Sequence, residues 1–68
     1  MMTLQKLGQQ YLQQEKLLRQ RMRELKAQQL IHATPLLRRR IYYLAQEAAH
    51  CGKIGRELTH YYDKEELV

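Results

Sequence analysis

The chain has 68 residues, with 12 Lys or Arg against 7 Asp or Glu, a formal net charge of +5 and a single cysteine. This length allows one small domain, and one cysteine excludes an internal disulfide framework. No stretch is long and apolar enough to span a bilayer, and the start, MMTLQKLGQQ, lacks the apolar core of a signal peptide. These features predict a cytoplasmic protein that does not enter a membrane.

The first segment, residues 3–31, is rich in Gln, Leu, Lys, Arg and Glu, which favour helices. Successive helical residues are rotated by about 100°, so most apolar side chains here fall within a band roughly 60° wide. Such a narrow stripe is typical of a seam between two helices. The stripe contains Leu4, Leu7, Tyr11, Leu18, Met22 and Leu25, and it is interrupted by Gln14 and Glu15.

The sequence HATPLL predicts a corner at about residues 32–35. Thr34 suits the N-cap of a second helix, and Pro35 suits its first turn, where the missing N–H costs nothing. Because proline disfavours helical geometry at the preceding residue, the first helix should end before Thr34. A connection this short favours antiparallel neighbours.

The second segment, residues 35–62, carries a heptad pattern with small residues towards its end. Its spacing of 4-3-4-3-4-3-4 predicts one continuous seam, followed by an acidic tail at 63–68. Together the segments predict an all-α fold, an antiparallel two-helix hairpin. The heptad residues are Leu37, Ile41, Leu44, Ala48, Cys51, Gly55, Leu58 and Tyr62.

A register in which facing residue numbers sum to about 66 brings bulky residues of the first helix against small ones of the second. It pairs Tyr11 with Gly55 and Leu18 with Ala48, which fills a close-packed layer without voids. Cys51 is then a packed thiol rather than a nucleophile. The predicted packing residues are Tyr11, Leu18, Met22, Leu25, Ile41, Leu44, Ala48, Cys51, Gly55 and Leu58.

Candidate metal ligands are few and poorly spaced. His32, His50, Cys51 and His60 include no His pair at i, i+4 and no C-x-x-C. No triad, inward carboxylate pair or glycine-rich phosphate loop is present in the sequence. We therefore expect neither an enzyme nor a bound metal or cofactor.

A second apolar stripe runs along the second helix, about 100° from the heptad seam. Under one interpretation, its tyrosine rings simply lie over the helix surface. Under the other, a second hairpin docks on the stripe and completes a dimeric four-helix bundle, and a lone hairpin's small core favours this. The predicted oligomer interface is Leu36, Tyr43, Ile54 and Tyr61.

Positive charge is concentrated before residue 57. Residues 1–56 hold eleven Lys or Arg against three Glu, whereas residues 57–68 carry a net charge of −3. The basic residues either solvate the outer faces of a bundle or contact nucleic acid through Arg and Tyr. The candidate nucleic-acid contacts are Lys16, Arg19, Arg23, Arg38, Arg39 and Arg40.

Three segments, LLRQRMRELKAQ, LLRRRIYYLAQEAAH and HYYD, resemble short uncharacterised proteins of Gram-positive bacteria that are often linked to mobile elements. The resemblance implies a helical hairpin with a paired tyrosine near its end, and it implies no activity. The sequence as a whole predicts a non-enzymatic, self-associating interaction or assembly module with a protein partner. The alternative is a small basic protein associated with nucleic acid.

Overall fold

The computed structural model describes residues 3–60. They form two α-helices, α1 (Leu4–Ile31) and α2 (Pro35–Thr59), and this part of the chain contains no strand. The predicted all-α class is confirmed. The predicted acidic tail at 63–68 lies outside the described residues.

Both helices begin at threonine caps. Thr3 and Thr34 have extended backbones, and their side-chain oxygens each accept a hydrogen bond of 3.1 Å, from the N–H of Lys6 and Leu37 respectively. Each cap satisfies an amide that has no partner within the helix. Pro35 lies in the first turn of α2, so the predicted role of the Thr34–Pro35 pair is confirmed.

The helices end at backbone caps. The N–H of His32 donates to the carbonyl of Gln28 at 2.8 Å and closes α1. The N–H of His60 donates to the carbonyl of Arg56 at 3.1 Å, and α2 ends at Thr59, before the predicted end at residue 62. Residues 61 and 62 lie outside the described range.

The glycines show that the helices are antiparallel. A Cβ atom on Gly8 would lie 2.9 Å from the Cβ of Leu58, and one on Gly55 would lie 2.7 Å from the Cγ of Leu12. These facing numbers sum to 66 and 67, within one residue of the predicted register. The backbones approach closely here because neither glycine carries a side chain.

One predicted pairing is wrong. The residue packed against Gly55 is Leu12, the neighbour of the expected Tyr11. Tyr11 is half-buried and instead lines a groove with Cys51. Leu12 is rotated about 100° from Tyr11 and so lies off the predicted stripe, yet the close approach at Gly55 brings it into the interface.

The core is a single seam. Its buried hydrophobic residues are Met22, Leu25 and Ala48, and Ala48 is completely inaccessible. The hairpin is only 14 Å across its thinnest dimension, and its radius of gyration is 15.6 Å, against about 11 Å for a compact chain of this length. Of the other predicted packing residues, Gly55 is buried, and six are half-buried: Tyr11, Leu18, Ile41, Leu44, Cys51 and Leu58.

Candidate interaction surfaces

Two grooves follow the seam between the helices on one broad side of the hairpin. The first, about 300 Å³, is lined by residues that include Leu25, Tyr43 and Leu44, and the second, about 250 Å³, by residues that include Tyr11 and Cys51. Tyr11 and Leu25 are two heptads apart and Leu44 and Cys51 are one heptad apart, so both grooves open on the same side. We call this side the apolar face.

The predicted second stripe borders the apolar face. Tyr43 is 56% exposed and Leu36 63% exposed, whereas Ile54 is half-buried. Leu36 and Ile54 are 18 residues apart, which is five helical turns, so they point in the same direction. As expected, α1 does not cover Leu36 or Tyr43. Tyr61 lies outside the described residues.

Tyr43 stands at the rim of the larger groove. Its ring meets that of Tyr42 edge to face, with centroids 5.8 Å apart. The Tyr42 hydroxyl accepts a hydrogen bond of 2.9 Å from Gln46 Nε2, which holds Tyr42 along its own helix. Within residues 3–60 no hydrogen bond holds the Tyr43 hydroxyl, so this ring is available to an external surface.

A polar cluster interrupts the seam at Glu15. Its half-buried carboxylate accepts hydrogen bonds from Arg19 at 2.9 and 3.2 Å, and it lies 3.8 Å from Arg56 Nη1 on α2. A Cβ atom on Gly52 would lie 2.6 Å from the Glu15 Cδ. Gly52 therefore leaves the space in which this carboxylate reaches across to α2.

The broad side opposite the apolar face is basic. On α1 it includes Arg19, the ion-pair partner of Glu15. Three more cations lie three, four and seven residues from Arg19, a spacing that keeps them on the same strip of the helix: Lys16, Arg23 and Lys26. On α2 it includes Arg56, which also reaches Glu15, and Arg38, five turns away in the same direction. We call this side the basic face; it comprises Lys16, Arg19, Arg23, Lys26, Arg38 and Arg56.

The structure separates the six predicted nucleic-acid residues. Lys16, Arg19, Arg23 and Arg38 share the basic face, but Arg40 lines the groove beside Tyr43 on the opposite side. Arg39 is exposed and rotated about 100° from Arg38, so it lies on the outer edge of α2. The three consecutive arginines therefore spread around α2, because consecutive helical residues point in different directions.

Four residues that shape the interface are not among the predicted packing residues: Gly8, Leu12, Glu15 and Gly52. Gly8 lies in the first helical segment without contributing a side chain to its stripe, and Glu15 interrupts that stripe. The sequence did contain a signal for this contact: the residue numbers of Glu15 and Gly52 sum to 67, so the two residues face each other in the predicted register. The signal was weak, since a carboxylate at a seam is usually unfavourable.

No protein-family profile, curated protein or solved structure significantly matches this chain. The resemblance to short proteins of Gram-positive bacteria therefore stays a prediction. Within residues 3–60 no group of three His, Cys, Asp or Glu side chains could hold a metal ion. Neither described helix is long and apolar enough to cross a membrane.

Proposed function

We propose that the protein is a small non-enzymatic assembly module whose apolar face binds the same face of a second copy. The observation that carries this proposal is the pair of grooves along one side of the seam, flanked by the exposed ring of Tyr43. Exposed apolar surface rimmed by polar residues, as along these grooves, normally marks an interface. The proposal assigns no catalytic residue and no cofactor.

The surface area of the hairpin supports a second copy as the occupant. The accessible surface is 5768 Å², whereas a compact monomer of this mass would expose roughly 4,500 Å². The excess is at least as large as the roughly 800 Å² that each partner buries in an interface of ordinary size. Pairing two hairpins would thus bring the exposed surface per chain close to that of a globular protein.

The charges around the larger groove are compatible with self-pairing. Arg21, Arg40 and Glu47 line it together with Tyr43, so the rim carries both signs of charge. In a two-fold interface the same patch meets itself, and residue i of one copy contacts residue j of the other. Glu47 of one copy can then face Arg40 of the other, while the aromatic and aliphatic side chains close the centre.

Doubling the hairpin in this way gives a four-helix bundle, in which side chains from four helices fill one core. The half-buried residues of the apolar face, including Leu18, Ile54 and Leu58, would become core residues. Because the sole thiol, Cys51, would be enclosed and unpaired, the proposal also fits a reducing compartment such as the cytoplasm.

Sedimentation of the wild-type chain from low to high micromolar concentration tests the proposal. We expect a species of twice the chain mass of 8.2 kDa, with little dependence on salt because the contact is mainly apolar. A helical monomer at high micromolar concentration would overturn the proposal, and the apolar face would then be assigned to a different protein.

A further inference from the structure

We propose that the basic face binds the phosphodiester backbone of nucleic acid without reading its sequence. This function goes beyond self-association and uses the opposite side of the hairpin. A dimer paired through its apolar faces would present one basic face on each outer side, so one assembly could hold two nucleic-acid segments.

The charge balance of the face is the first support. Among residues 3–60, only Arg19 and Arg56 of its six cations have an acidic partner, and both share Glu15. The other four, Lys16, Arg23, Lys26 and Arg38, are exposed and form no ion pair within residues 3–60. Of the other acidic residues before the acidic tail, Glu24 pairs with Arg21, Glu47 lines the apolar face, and Glu57 is exposed but rotated about 100° from Arg56. The basic face is therefore a concentrated positive surface.

The dimensions of the face are the second support. Arg38 and Arg56 are 18 residues apart, or about 27 Å at 1.5 Å per residue, and Lys16 and Lys26 lie about 15 Å apart on the facing helix. Duplex DNA presents a phosphate about every 3.4 Å of its axis on each strand. The longer row therefore spans roughly eight nucleotides, and the second row lies alongside it.

Between Arg38 and Arg56, the residues of α2 that point closest to the same direction are Tyr42, Ala45, Ala49 and Gly52. The small side chains of Ala45 and Ala49 let a phosphate backbone approach the helix closely beside the exposed ring of Tyr42. The space over Gly52 holds the Glu15 carboxylate. Arg and Lys then supply charge and hydrogen bonds to phosphate oxygens, which position nucleic acid but carry no sequence information.

Charge reversal on matched surfaces tests the proposal. One triple variant, Arg23→Glu/Lys26→Glu/Arg38→Glu, changes the basic face. The control, Lys6→Glu/Arg39→Glu/Lys53→Glu, changes exposed cations on the outer helix edges and alters the net charge equally. Both are compared with the wild-type chain for binding to a 20-base-pair DNA duplex and a 20-nucleotide RNA by fluorescence anisotropy. Helicity by circular dichroism and mass by sedimentation check that each variant stays folded and assembled.

We expect the wild-type chain to bind at least one probe with a log–log salt slope of roughly −3 to −4, which corresponds to four unpaired cations releasing counterions. The face variant should bind about tenfold more weakly or worse with a slope near −1, and the control should change affinity by less than about threefold. If the face variant loses helicity, Arg23→Gln/Lys26→Gln gives the same comparison. No wild-type binding at 50 mM salt, or equal losses in face and control variants, would overturn the proposal. If polyglutamate binds the wild-type chain as tightly as the nucleic acids do, and the face variant loses that binding, the face would instead be assigned to an acidic protein.

Discussion

Gly8 and Gly52 differ in which atoms of the opposite helix face them, so the same substitution should have different effects. A Cβ atom on Gly8 would lie 2.9 Å from the backbone nitrogen of Thr59, which cannot move without shifting α2. A Cβ atom on Gly52 would meet the end of the Glu15 side chain, which can rotate away. We therefore expect Gly8→Ala to cost about 1–3 kcal/mol through overpacking, offset in part by the higher helix propensity of alanine.

Gly52→Ala is the matched comparison. It should leave the free energy of unfolding unchanged or raise it by up to about 1 kcal/mol, because alanine favours the helix and the end of the Glu15 side chain can rotate to make room. Urea unfolding followed by circular dichroism measures both variants. A Gly52→Ala chain that is destabilised as much as Gly8→Ala would show that the Glu15 carboxylate is held in place more tightly than its contacts indicate.

Cys51 offers a direct report on the apolar face. The structure leaves this thiol half-buried beside Tyr11 in an open groove, so it is less enclosed than the sequence suggested. A second copy on the apolar face would cover it. We expect slow labelling by a thiol reagent at high protein concentration and faster labelling on dilution, with fast labelling at any concentration in denaturant. A rate in native buffer that does not vary with concentration would contradict coverage by a second copy.

At the scale of the helices, the cap at Thr34 determines where α2 begins. Thr34→Ala removes the oxygen that accepts the Leu37 N–H and should cost about 1 kcal/mol, which corresponds to a loss of roughly 4–8 °C in Tm for a domain of this size. Thr34→Ser retains the oxygen and should restore most of the loss. The pair is compared by thermal melts, and equal losses would indicate that the threonine methyl group, rather than the cap, stabilises the corner.

The helices and their register could be predicted from the sequence because the signals are local. Thr34 and Pro35 fix the corner, and the alternation of large and small residues fixes the pairing to within one residue. The choice between Tyr11 and Leu12 opposite Gly55 could not be made, since it depends on how closely the backbones approach at Gly8. The seam accommodates the Glu15 carboxylate because Gly52 leaves space for it and Arg56 lies close to it on the opposite helix. A pattern within one helix cannot show this contact between helices.

The division of the arginines between the two faces could have been predicted. Arg38 and Arg40 are two residues apart and therefore about 200° apart around α2. The sequence alone therefore spreads the three consecutive arginines around α2. Three-dimensional placement adds the decisive point that Arg56 shares the side of Arg38 and reaches Glu15 on α1.

At the scale of the whole molecule, the seam within residues 3–60 has three buried hydrophobic residues, which is a small core for a hairpin of this length. Stability should then be coupled to assembly, because a partner that binds only the folded state stabilises it by mass action. We expect Tm to rise with protein concentration over the range in which sedimentation detects association. A Tm that stays constant across a hundredfold range of concentration would mean that the lone hairpin accounts for the stability.

The apolar face can be tested by placing charge at its rim. Tyr43 and Ile54 lie on the side of α2 that α1 leaves open, and in a two-fold interface each introduced lysine would meet the apolar surface of the other copy. An unpaired ammonium group buried in such a contact is costly. We therefore expect Ile54→Lys, alone or with Tyr43→Lys, to lower the sedimentation mass from dimer to monomer and to reduce helicity.

Ile31→Lys is the matched control, since Ile31 is also a large apolar residue but is 87% exposed at the end of α1. It is rotated well away from the seam residues Leu25 and Met22, so the same added charge should leave the mass unchanged. If Ile31→Lys dissociates the protein as readily as Ile54→Lys, the copies meet through the exposed corner rather than through the grooves. Because the corner holds few of the half-buried residues, such an assembly would not complete a four-helix core. It would also leave Cys51 uncovered, so the rate of Cys51 labelling would not depend on protein concentration.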